Sequence, residues 1–112
     1  MAKKKFYIYQ EDLIKYRFAN NNVIISQLVM DLNEKFCQEG MRKLRTEIVT
    51  NYLIDNGYLI DDGTGKKRPT FKGEILGIKV GHIIDKKGQE IEVNLYNERA
   101  QNFILDNLYE MM

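Results

Sequence analysis

The stretch MRKLRTEIVTNYLIDNGYLIDDGTGKKRPTFKGEILGI, residues 41–78, carries the reading of the fold. Leu44, Ile48, Val49, Tyr52 and Leu53 return at helical spacing, and Gly57 tolerates the left-handed conformation that ends a helix. A helix is therefore predicted over 41–56, its periodic part running from about Arg42 to Asn56. "YLI" then reads as a strand, "DDGTGKK" as a turn and "RPT" as a returning strand, which together make a hairpin over 58–69. Thr70 stands where it caps a short helix in "FKGEILG".

Towards the N-terminus, "SQLVMDLNEKF" puts Leu28, Val29, Leu32 and Phe36 on one helical face, with Ser26 as its expected cap and Gly40 closing the element. "VII" at 23–25 suits a small strand, "ANNN" at 19–22 a turn, and "FYIY" at 6–9 a short strand. Between them "QEDLIKYRF" places Leu13, Ile14, Arg17 and Phe18 at helical spacing. Towards the C-terminus, "IKVGHIID" and "QEIEVNLY" flank Lys86, Lys87 and Gly88 and predict a second hairpin. In its second strand Ile91, Val93 and Leu95 form the buried face, alternating with Glu90, Glu92 and Asn94. Asn97 caps a final helix over 98–112, in which Ala100, Phe103, Ile104, Asn107, Leu108 and Met111 form a stripe that Leu105, Tyr109 and Met112 extend sideways. No repeat or linker divides the chain, so the expectation is one α+β domain over residues 1–112.

The succession "ISQLVMDLNEKF", "MRKLRTEIVTNYLIDNGYLI", "KKRPTFKGEILG" resembles the winged helix-turn-helix superfamily over residues 23–77. Gly57-Tyr58-Leu59-Ile60 is similar to the entry into the wing, and Thr70-Phe71-Lys72-Gly73 to the start of the helix that follows it. Residues 78–112 add a hairpin and a C-terminal helix, and "RPTFKGEILGI" and "VNLYNERAQNFILDNL" resemble a module of uncharacterised bacterial proteins. The resemblance implies double-stranded DNA as partner, with helix 41–56 in the major groove and the hairpin on the neighbouring backbone. Arg42, Lys43 and Arg45 would then meet phosphates or guanine edges, Thr46 and Thr50 would make smaller polar contacts, and Lys66, Lys67 and Arg68 would hold phosphates. Glu47, Asp61 and Asp62 run against this pattern, and on a helical wheel Arg45 turns toward the apolar side.

With 17 basic and 16 acidic residues the net charge is +1, so any hold on phosphate must come from local clusters; the alternative for each cluster is a solvated surface. Lys3, Lys4 and Lys5 read as a terminal tail of little weight. A second functional class is open: protein interaction or homodimerisation through helix 98–112, with Leu105, Tyr109 and Met112 at the interface. Catalysis finds no convergent set of groups. His82 reads as a strand residue and Cys37, the one cysteine, as structural. "GTGKK" misses a phosphate-binding loop because Ile60 stands in the first glycine position and Lys67 follows the lysine. Asp61 and Asp62 lack the spacing of a calcium loop. The expectation is a non-enzyme without cofactor or metal. No run is apolar enough for a signal peptide or membrane span, so no membrane partner and a cytoplasmic location are expected.

Overall fold

Leu28, Val29 and Leu32 recur on one side of a helix because residues three and four apart share a face, and that side is the wall on which the rest of the chain packs. The computed structural model describes residues 3–9, 11–12 and 22–112. In chain order the elements are α1 (Ile25–Phe36), α2 (Thr46–Asp55), β1 (Leu59–Asp61), β2 (Lys67–Pro69), α3 (Phe71–Leu76), β3 (Ile78–Ile84), β4 (Glu90–Tyr96), α4 (Glu98–Asp106) and α5 (Leu108–Met111). The fold is mixed α+β, with two separate antiparallel hairpins, β1–β2 and β3–β4. The helix predicted at 10–18, with Leu13, Ile14, Arg17 and Phe18, and the turn at 19–21 lie outside the described residues but for Glu11 and Asp12.

One continuous core joins these elements. Phe6, Leu32, Val49, Leu53, Leu59, Ile78, Tyr96, Ala100 and Ile104 are all essentially inaccessible, and they come from the N-terminal segment, both long helices, both hairpins and α4. Each large apolar side chain so buried contributes about 1.5–3 kcal/mol. Val23 joins the second hairpin through an exchanged pair of backbone bonds with Tyr96, of 3.1 and 2.8 Å. "FYIY" forms no strand; the N-terminal segment makes one parallel bridge, Lys4 to Met41, and drops Phe6 into the core. No helix of the described residues is long and apolar enough to cross a membrane.

Several boundaries differ from the sequence reading. α1 starts at Ile25, with Ile24 in the cap position and no side-chain cap bond, so Ser26 lies inside the helix and does not cap it. α2 starts at Thr46, so residues 42–45 are not helical, and Arg45 in the cap position is extended. The C-terminal helix divides at Asn107, whose amide Nδ2 donates to Phe103 O at 2.8 Å as the chain leaves α4. Thr70 and Asn97 cap as predicted, accepting from Gly73 N at 3.1 Å and Ala100 N at 2.9 Å. Gly73 is required by proximity: a Cβ there would lie 2.1 Å from Tyr58 O, so α3 packs directly on the chain entering β1.

The faces of the second hairpin are reversed from expectation. Side chains two apart share a face, so half-buried Asn94 and exposed Glu92 stand on the face of Tyr96, which with its partner Ile78 fills the core. Asn94 Nδ2 donates to Lys67 O at 2.7 Å and Glu92 pairs with Arg68, which docks β2 on this polar face. Ile91, Val93 and Leu95 lie on the opposite face, outside the core cluster; Ile91 is 39% exposed.

Candidate nucleic-acid interface

Two buried anchors shape the chain before α2. Met41 and Leu44 are both buried, while Arg42 and Lys43 between them are exposed. Asn33 of α1 holds this conformation with a reciprocal pair of bonds, Asn33 Nδ2 to Leu44 O at 2.9 Å and Leu44 N to Asn33 Oδ1 at 2.7 Å. On its other side Lys4 N donates to Gly40 O at 2.8 Å and Arg42 N to Lys4 O at 2.7 Å. The bridge runs the backbone at Lys4 along that of Met41, and Lys3, Lys4, Lys5, Arg42 and Lys43 are all exposed. Among the described residues these five cations form no ion pair, in contrast to Arg45 and Arg68. By sequence Lys3, Lys4 and Lys5 read as a terminal tail of little weight, because the pairing that ties them to the fold joins residues 4 and 41.

The remaining predicted contacts divide. Arg45 is exposed, not turned to the apolar side, and its Nε lies 3.2 Å from Glu47 Oε2. Thr46 is half-buried in the first turn of α2. Thr50 is only 8% exposed, and its hydroxyl donates to the carbonyls of Thr46 and Glu47 at 3.3 Å within its own helix. The exposed face of α2 instead carries Glu47, Asn51 and Asp55 at four-residue spacing. Tyr52 reaches across to α5, its hydroxyl 2.9 Å from Glu110 Oε2 and 3.2 Å from Asn107 Oδ1. Burial, and then the bond to Glu110, raise the Tyr52 phenol above its usual value.

In the β1–β2 hairpin the two aspartates organise the turn. Asp61 Oδ1 accepts from Gly63 N at 2.9 Å, and Asp62 Oδ1 accepts from the backbone N–H of Thr64 at 2.9 Å and from its hydroxyl. These Thr64 contacts, and then Arg68, hold the Asp62 carboxyl down at about 2. Arg68 is committed on both sides, its Nε 3.1 Å from Asp62 Oδ2 and its Nη1 bonded to Glu92. Lys66 is exposed and Lys67 half-buried, and both line a groove of about 300 Å³ between β2, β4, Thr50 and residues 24–26 at the start of α1.

At the other end, Leu105 is 5% exposed and belongs to the core, and it also forms part of the lining of the groove beside Tyr109 and Met112. Tyr109, 89% exposed, and Met112 border a groove of about 710 Å³ against residues 5–8. His82 is exposed on β3, and Cys37 is half-buried with Sγ 3.5 Å from Met41 O. Among the described residues no three His, Cys, Asp or Glu side chains stand together as a metal site. Comparison with known proteins returned no match: no family model, no curated protein and no solved structure matches the chain.

Proposed function

We propose that this chain is a non-catalytic, winged-helix-like module that binds nucleic acid through its phosphates. The observation that carries the reading is the Lys4–Met41 bridge, which runs the backbone of the N-terminal lysines along that of residues 40–42, with Lys3, Lys4, Lys5, Arg42 and Lys43 all exposed and none in an ion pair among the described residues. Lys66 and Lys67 on the β1–β2 hairpin supply a second pair of cations. Base reading through α2 has less support, since its exposed face carries Glu47 and Asp55, which repel phosphate. The mechanism is backbone neutralisation with release of counterions, and it calls for little sequence preference.

The test is a fluorescence-anisotropy titration of the chain against mixed-sequence duplex DNA at low and near-physiological salt. Contacts to about four phosphates give a slope of log affinity against log salt near −4, and Lys43→Glu with Lys67→Glu flattens it. Absence of binding at low salt would overturn the reading. A second reading, docking of a protein partner on the C-terminal helices, is supported by exposed Tyr109 with Met112 and the largely buried Leu105 at the larger groove.

A further inference from the structure

Among the described residues, one edge of the β3 backbone has no partner. Val23 and Tyr96 exchange both backbone bonds, so the N–H and C=O of Tyr96 point away from β3. Alternation along the ladder then directs Lys79, Gly81, Ile83 and Asp85 toward β4 and directs Val80, His82 and Ile84 outward. The bond from Asp85 N to Gln89 O, 2.8 Å, agrees with this phase. Among the described residues, nothing accepts from or donates to the outward backbone groups of Val80, His82 and Ile84. Such an edge is a template for another strand.

We infer that β3 pairs antiparallel with β3 of a second copy of this chain, joining two hairpins into one four-stranded sheet. Charge selects the strand, because a two-fold axis sets each strand against itself. The free edge of β4 carries Glu90 and Glu92, which would face like charge in several registers, whereas Val80 to Ile84 holds no Asp, Glu, Lys or Arg. Charge also selects the register. An axis through His82 sets Val80 opposite the partner's Ile84 and Lys79 opposite the partner's Asp85, an opposite-charge pair repeated twice by symmetry. An axis one residue further on, through Ile83, sets Lys79 against the partner's Lys87.

The side chains fit the same register. Lys79 is exposed and makes no ion pair within the described residues. Asp85 Oδ1 accepts the backbone N–H groups of Lys87 and Gln89, which leaves Oδ2 for the partner's Lys79. Gly81 stands opposite the partner's Ile83, and Leu95 occupies the space above it: a Cβ on Gly81 would lie 2.4 Å from Leu95 Cδ1. The partner's Ile83 therefore meets Leu95 on the apolar face. Ile84, 65% exposed in one copy, gains Val80 of the other across a hydrogen-bonded pair.

Sedimentation equilibrium over the micromolar range tests the pairing, with the wild-type mass expected at about twice 13.2 kDa. His82→Pro removes an outward N–H and no bond to β4, and it is expected to leave a folded monomer by circular dichroism. Lys79→Glu changes one exposed side chain, keeps the fold, and is expected to raise the dimer dissociation constant about tenfold by placing like charge against the partner's Asp85. A wild-type mass of 13.2 kDa throughout would overturn the inference. So would a dimer insensitive to both substitutions but dissociated by Tyr109→Glu, which would place the contact on the C-terminal helices.

Discussion

Asn33 and Leu44 exchange two hydrogen bonds, side-chain amide to backbone peptide, at 2.9 and 2.7 Å. The pair fastens α1 to the entry of α2 and satisfies both peptide groups of the buried Leu44 outside any helix. Asn33→Ala leaves both groups of Leu44 unpartnered in a half-buried setting and is expected to cost about 2–3 kcal/mol in urea unfolding. Asn33→Asp keeps the acceptor but sets a carboxylate against Leu44 O, so it fails to restore stability.

Thr70 joins two elements through one hydroxyl. Its Oγ1 donates to Gly57 O at 2.6 Å and accepts from Gly73 N at 3.1 Å. Thr70→Ala is expected to cost about 1–2 kcal/mol, and Thr70→Ser, which keeps the hydroxyl, most of that less. Gly73→Ala drives a Cβ into Tyr58 O and is expected to cost about 2–3 kcal/mol; thermal melts of the three variants rank them.

The Asp62 carboxyl titrates at about 2, below its ordinary 3.8, because the Thr64 hydroxyl and N–H and then Arg68 favour its charged form. A folded value depressed below the unfolded one means that the stability it contributes is present above about 3.8 and is lost as pH falls through about 2. Carboxyl-detected NMR titration should place the Asp62 midpoint near 2, and Thr64→Ala should move it up toward 3.8. An unmoved midpoint would take Thr64 out of the account.

If phosphates rather than bases hold the nucleic acid, α2 and the cation rows respond differently. Asn51→Ala should leave DNA affinity within about twofold, while Lys4→Glu combined with Lys43→Glu should reduce it about tenfold or more at low salt. A sequence-dependent loss with Asn51→Ala, measured on two unrelated duplexes, would point back to groove reading.

The C-terminal helices separate packing from surface at neighbouring turns. Leu105→Ala should cost about 2–4 kcal/mol because the side chain lies in the core, whereas Tyr109→Ala should stay within about 0.5 kcal/mol. Equal losses in chemical denaturation would contradict the division at Asn107.

Local patterns carried much of the architecture. Leu28, Val29 and Leu32 place α1, the Gly57 stop and the turn signal at 61–67 place the first hairpin, and Thr70 and Asn97 mark true caps. Each is a signal within a few residues, where propensity, capping chemistry and periodicity act on their own. Four matters were decided elsewhere, by contacts distant in sequence. Asn33 and Lys4 bond the backbone of Leu44 and Arg42, which keeps residues 42–44 out of α2 and ties this basic stretch to the N-terminal segment. The buried Tyr96 chooses which face of β4 points inward and leaves Ile91, Val93 and Leu95 outside the core. Asp62 and Glu92 take up Arg68. Leu105 joins the core because α4 packs on that side. Periodicity states that a face is apolar but not what meets it, and charge counts do not state which cations find carboxylates; both follow only when the elements pack.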